Sequence, residues 1–187
     1  MFKQLKNKFN LEAFEIESHK IRFGNVLSNN KFDGISYEYL KNNDDNNAKI
    51  FGVLPERYRD KFSLLLMRVS SSPKPHIDSK VLTAINFYVQ PADATTFFYK
   101  IISDNPKEEQ CKVMQSRNSG KSFPDVLDLE VVGSFKALPN DAYLLDVSKI
   151  HSVLKPNKDD VRIAFALQTN NFTFDEVCDM LVETGNL

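Results

Sequence analysis

The stretch KPHIDSKVLTAINFYV, residues 74–89, decides how this chain is read. Pro73 and Pro75 break the backbone before it, because proline fixes φ and cannot donate to a ladder. His76 and Asp78 follow, two apart, and Val81–Val89 is rich in β-branched and aromatic residues, as a strand requires. Side chains two apart on a strand share a face, with Cβ atoms about 6.6 Å apart. Adjacent ligands of an octahedral metal need donor atoms only about 3 Å apart, a gap that side chains leaning across Ile77 can close. The pair therefore permits a metal site, and equally permits ordinary polar residues where a strand leaves a loop.

On either side the sequence continues in β fashion. SLLLMRVS (63–70) reads as a buried strand, TTFFYKII (95–102) as the partner of 81–89 across the turn-like QPADA, and LEVVGSFKALP, AYLLDVSKIHSV and VRIAFALQT as three further β segments. HKIRFGNVL and FDGISYEYL, earlier in the chain, read as extended. Helices are expected mainly outside this run. They are a short one over Leu5–Phe14, one in LPERYRDKF with Pro55 at its first turn, and one over Phe174–Val182, where Thr173 and Glu176 have capping-box spacing. KNNDDNNAK (41–49), rich in Asn and Asp, reads as a solvated loop without the spacing of an EF-hand. Residues 103–124 are polar and aperiodic, a long loop that fits either a lid or a surface insertion. Six or more strands at short intervals argue against alternating βαβ units and for a sandwich, jelly roll or barrel.

At 187 residues a single domain is expected. Hydrophobic and charged shares of 42% and 26% are those of a soluble globular protein, and 24 basic against 25 acidic side chains leave no general footprint for nucleic-acid backbones. The locally basic start, FKQLKNKF, reads as a solvated helix end. Two cysteines, Cys111 and Cys178, have no metal spacing, and no signal or membrane segment is visible, so a reducing, cytoplasmic setting is expected.

The chain has only three histidines, which narrows the search for a third ligand. His19 lies among charged neighbours, whereas His151 sits in the apolar YLLDVSKIHSVL and is the better candidate, although a lone buried histidine is more often a hydrogen-bonded core residue. Arg162 opens an otherwise apolar strand and needs an anionic partner, because an unpaired buried charge is costly. Asp146 or Asp159 would serve within the protein; a ligand carboxylate, gripped by two hydrogen bonds, would serve a function.

His76, Asp78, His151 and Arg162, in that order, resemble the signature of the Fe(II)/2-oxoglutarate-dependent oxygenases, over roughly Leu64–Thr169. PHIDSKVLTAINFYV with TTFFY is similar to that family's metal-binding strand and the strands after it. LPNDAYLLDVSKIHSV resembles its turn, apolar strand and distal histidine, and VRIAFAL its last core strand. Two positions depart from the pattern. Ala164 stands where some branches carry a serine that helps hold the co-substrate, and Asn140 stands where glycine is common.

The resemblance implies a mainly β protein, a double-stranded β-helix (cupin-like jelly roll) core over about 63–169, with flanking α-helices toward both termini. It implies Fe(II) held by His76, Asp78 and His151, with 2-oxoglutarate paired to Arg162 and O2 as the oxidant. Thr83, Asn86 and Tyr88 are candidates for co-substrate contacts, Asn86 foremost; by alternation Asn86 and Tyr88 share a face opposite to Thr83. The implied reaction hydroxylates a C–H bond with release of succinate and carbon dioxide, on a small-molecule or peptidyl substrate, with an amino-acid or peptidyl group favoured. A simple hairpin would set His151 opposite Arg162 in one sheet, whereas a jelly roll sets them in facing sheets. A non-catalytic jelly-roll binding module, or a cupin-type metalloenzyme without 2-oxoglutarate, would account for part of the pattern, the latter leaving Arg162 without a purpose.

Overall fold

The structure is a computed structural model that describes residues 1–9, 31–32, 35–40, 45–78, 80–111, 120–157 and 159–187. The described strands are β1 (Phe2–Gln4), β2 (Lys31–Phe32), β3 (Ile35–Tyr39), β4 (Ser63–Val69), β5 (His76–Ile77), β6 (Thr83–Gln90) and β7 (Thr95–Ile101). They continue with β8 (Glu109–Cys111), β9 (Gly120–Ser122), β10 (Leu129–Lys136), β11 (Ala142–Asp146), β12 (His151–Leu154) and β13 (Arg162–Thr169). They form two antiparallel sheets, one ordered β1-β11-β6-β13-β4-β3-β2 and the other β10-β7-β12-β5-β9-β8. The sheets face one another as a jelly roll.

Alternation on the central strands explains both layers of the core. In β13, Ile163, Phe165 and Leu167 point to one side and pack with Ile85, Phe87, Leu64 and Leu66 beneath two helices. The helices are α1 (Asp45–Phe51), which contributes Ile50 and Phe51, and α2 (Phe174–Glu183), which contributes Val177 and Leu181. The intervening positions, Arg162, Ala164 and Ala166, face the second sheet, and their register aligns them with Tyr88 and Asn86 on β6 and with Val69, Met67 and Leu65 on β4. The two small side chains at the middle of β13 are flanked in register by Tyr88, Asn86, Met67 and Leu65, which line the cavity described below.

The expected strands at 63–70, 81–89, 95–102, 129–139 and 162–169 are present, and the PAD turn has Ala92 and Asp93 at φ of 56° and 52°, as a tight hairpin turn needs. The Thr173–Glu176 capping box is formed, and LPERYRDKF makes a 3-10 helix, Glu56–Lys61, after Pro55. AYLLDVSKIHSV is two strands in different sheets, with the chain crossing between them at 147–150.

Three expectations are corrected. The expected loop, 41–49, runs into a helix, Asp45–Phe51, because Ile50 and Phe51 bury against the core and Lys49 sits favourably in the last turn. No helix starts at Leu5: Phe2–Gln4 adds a strand to β11, and the Phe2 ring packs 4.9 Å from Phe135 and 5.6 Å from Phe98, so apolar residues there serve the sheet. The rest of that expected helix lies outside the described residues, as do HKIRFGNVL and His19. The basic start is anchored, with Lys8 paired to the buried Asp141 and Lys6 Nζ donating to the Leu187 carbonyl. Within 103–124 the two short strands β8 and β9 pair, and 112–119 lie outside the described residues. Among the described residues no helix is long and apolar enough to cross a membrane.

Candidate active site

The pairing of β12 with β5 places His151 directly across from His76 as Cα partners, with ring centroids 4.4 Å apart. Asp78 follows β5, and its backbone N–H donates to the Val147 carbonyl (3.3 Å), which ties it to the crossing between β11 and β12. Donor atoms of His76, Asp78 and His151 all lie within 4.8 Å of one another. Asp78 Oδ1 is 3.5 Å from His76 Nε2 and 3.9 Å from His151 Nε2.

Both imidazoles are fixed from behind. His76 Nδ1 contacts the Lys74 carbonyl at 2.7 Å and His151 Nδ1 the Lys149 carbonyl at 2.9 Å. A carbonyl oxygen only accepts, so each Nδ1 carries the hydrogen, and in the neutral ring Nε2 presents a lone pair toward Asp78. Burial, with His76 beside it, pushes the His151 imidazolium down to about 4, so this ring is neutral at pH 7. Burial alone would raise the Asp78 carboxyl, but contact with His76 and the adjacent imidazoles outweighs it and holds the group below its ordinary value, ionised. Three acceptors thus converge at separations too long for good hydrogen bonds. A cation reconciles them, and the backbone partners behind the rings are the support that metal-binding histidines require.

The His151 displacement has a pH consequence. Between about 6.5 and 4 the unfolded chain takes up the proton more readily than the folded one, so stability falls as pH falls through that window. At ~1.4 kcal/mol per unit, metal-free protein is expected to lose about 2 kcal/mol between pH 7 and pH 5 from this group. Urea unfolding in chelator at the two pH values, on wild type and His151→Asn, checks it; equal losses in both proteins would contradict the assignment.

Opposite the triad, Arg162 is 2% exposed. Nη1 and Nη2 both donate to Thr96 Oγ1 at 3.0 Å, and the guanidinium lies 4.4 Å over the Tyr88 ring. Among the described residues no carboxylate pairs with it, and its Nε is buried without a partner. Asp146, one of the protein partners that the sequence offers, instead accepts from Ser148 Oγ at 2.5 Å. Tyr88 Oη and Asn86 Oδ1 are likewise buried without partners. Arg162, Thr96, Tyr88 and Asn86 line one cavity of about 270 Å³ with His76, Asp78 and His151.

His151 and Arg162 come from facing sheets, as the jelly roll requires and a hairpin would not. Asn86 and Tyr88 face the cavity. Thr83 does not, which corrects its place among the candidates: on the opposite face of β6, its hydroxyl donates to the Phe172 carbonyl at 3.0 Å. Sequence reasoning missed Thr96. With alanine at 164, Thr96 supplies the hydroxyl beside the arginine from the other sheet. Asn140 takes φ of 69°, so the turn that commonly uses glycine is built by a residue that tolerates it. Cys178 is a free, buried thiol; the Cys111 side chain lies outside the described residues.

No protein-family model matches this sequence, and neither does any curated protein. Solved structures do. The epimerase SnoN in complex with Fe3+, alpha ketoglutarate and nogalamycin RO superimposes at a TM-score of 0.50, with 13% identity, over 89% of this chain and 77% of that one. A second structure, described as the non-heme alpha ketoglutarate dependent epimerase SnoN from nogalamycin biosynthesis, gives 0.50, 12%, 89% and 77%. HygX from Streptomyces hygroscopicus, with nickel and 2-oxoglutarate bound, gives 0.48, 14%, 92% and 84%. The fold of this chain, two facing antiparallel sheets in a jelly roll, is thus the fold it shares with SnoN.

Proposed function

We propose that the chain is an Fe(II)- and 2-oxoglutarate-dependent oxygenase that hydroxylates an amino-acid or peptidyl C–H bond. The observation that carries this reading is one cavity holding two incomplete sets at once. One is three converging acceptors at His76, Asp78 and His151; the other is a buried arginine with no anionic partner among the described residues. A divalent metal answers the first set, a two-histidine, one-carboxylate site of the kind that suits Fe(II). A dicarboxylate answers both, since one end reaches the metal while the other meets Arg162.

In this reading His76, Asp78 and His151 hold the iron, and Arg162 takes the far carboxylate. Thr96 accepts both guanidinium N–H groups and keeps its own O–H to donate to that carboxylate. The Tyr88 hydroxyl, buried without a partner, is available to donate to the same ligand, and Asn86, whose Oδ1 is an unpartnered acceptor, lines the cavity beside it. Bound iron with 2-oxoglutarate supplies oxidising power toward an unactivated C–H bond that no side chain offers. The overall reaction consumes dioxygen, one atom entering the product hydroxyl and the other succinate, with carbon dioxide released. The chain's own task is to orient co-substrate and substrate and to exclude water. SnoN, of like fold, is described with Fe3+ and alpha ketoglutarate, which accords with the cofactors proposed here.

The test is ligand-dependent stability followed by turnover. With Fe(II) present and air excluded, 2-oxoglutarate at a hundred times its dissociation constant should stabilise the fold by about 2.7 kcal/mol. In air the same sample should form succinate. Metal binding without any response to 2-oxoglutarate would overturn the proposal.

A further inference from the structure

We infer that the substrate enters as an uncharged side chain of a peptide whose backbone stays outside, and that free amino acids are excluded. This rests on the function proposed above and names its substrate class.

The inner face of the larger sheet is ordered in rows. One runs Tyr88–Ala164–Met67–Tyr37 and the next Asn86–Ala166–Leu65–Tyr39, each residue being the Cα partner of the next. With strands about 4.8 Å apart, each row spans roughly 14 Å. The β6 end carries the unpartnered polar atoms and adjoins Arg162. Beyond the alanines, the β3 end is apolar and aromatic, with the Tyr37 and Tyr39 rings packed edge to face at 5.7 Å and 84°. Tyr39 is 63% exposed and so stands at the mouth, while Tyr37 lies deeper.

Two quantities select the occupant. Among the described lining residues the charged side chains are Asp78 and Arg162, apart from the imidazoles, and both are committed in the proposed reading. A free amino acid seated within the remaining half would bring an ammonium and a carboxylate where no further charged side chain among the described lining residues can pair them, and a buried charge without a partner opposes binding. The cavity, about 270 Å³ including the room for co-substrate, lies below the usual 300–1,000 Å³ of small-molecule sites. It admits one side-chain-sized group. An exposed tyrosine at the mouth, amphipathic and stiff, suits contact with the rest of a larger substrate.

The experiment measures binding by calorimetry to protein carrying Ni(II) and 2-oxoglutarate, where no turnover occurs. The probes are N-acetyl amides of proline, leucine, asparagine and tyrosine, against the same four amino acids in free form. At least one capped probe should bind ten-fold or more tightly than its free counterpart. Tyr37→Ala should weaken that probe ten-fold or more, while Tyr39→Phe, which keeps the ring, should retain it. Equal binding of free and capped forms overturns the inference. So does the absence of binding by every capped probe when 2-oxoglutarate still stabilises the nickel protein, and the oxygenase reading then stands. If 2-oxoglutarate fails to stabilise the protein at all, that reading falls first and this inference falls with it.

Discussion

Asp78→Ala is expected to abolish metal retention and succinate formation together. Of the three converging groups, Asp78 alone can be an anion, and it is held ionised; an imidazole ligand brings a lone pair and no negative charge. Removing it leaves a dication facing two neutral imidazoles in a buried site, a loss of several kcal/mol, so affinity should fall by about a thousand-fold or more. The fold should survive, because the contact that places this residue is its backbone N–H on the Val147 carbonyl, which alanine keeps. Because the folded protein holds the Asp78 carboxyl below its ordinary value, its removal should cost the metal-free protein modest stability at neutral pH without unfolding it. Metal content by mass spectrometry and 2-oxoglutarate turnover check the two halves; a variant that holds iron and still forms succinate at the wild-type rate would sink the assignment.

Arg162→Met is expected to separate co-substrate binding from stability. The guanidinium is held by one hydroxyl and one aromatic face, with Nε unsatisfied, so in the ligand-free protein a charge is buried without an opposite charge among the described residues. Replacing buried ionic groups with well-packed apolar ones is often neutral or stabilising, by about 1–4 kcal/mol. The variant without ligand should therefore unfold at a urea midpoint equal to or above wild type. Its 2-oxoglutarate dissociation constant should rise about 100- to 1,000-fold, since losing one partner of a charge-assisted pair costs about 2–5 kcal/mol. Arg162→Lys should fall between, keeping charge without the planar fork. Unchanged 2-oxoglutarate affinity would remove Arg162 from the site, and marked destabilisation of the ligand-free variant would make it a structural residue.

Much of the site was legible because it depends on residues that few other contexts explain. Two histidines, an aspartate and a buried arginine, in order along β-rich segments, left little room for coincidence, and strand alternation already set Asn86 and Tyr88 against Thr83. Thr96 was hidden for a physical reason. Threonine is an ordinary strand residue, and its hydroxyl acquires a role only from what stands opposite in the other sheet, which depends on how the sheets are stacked. The helix at Asp45–Phe51 was missed because Asn and Asp prefer turns locally, while burial of Ile50 and Phe51 decides the conformation. The N-terminal strand was missed likewise: three residues have no period to read, and it exists because β11 offers an edge.

The alternation along β13 has a consequence for how such a protein can change. Ile163, Phe165 and Leu167 hold the helices to the sheet, while Ala164 and Ala166, between them, face the second sheet and are flanked in register by the cavity-lining Tyr88, Asn86, Met67 and Leu65. Substitutions at the second set reshape what the cavity admits without loosening the first, so one strand provides a tolerant row for diversification beside a row that guards the fold. Libraries built on Ala164, Ala166, Met67 and Tyr37 should accordingly yield altered selectivity in proteins that remain folded.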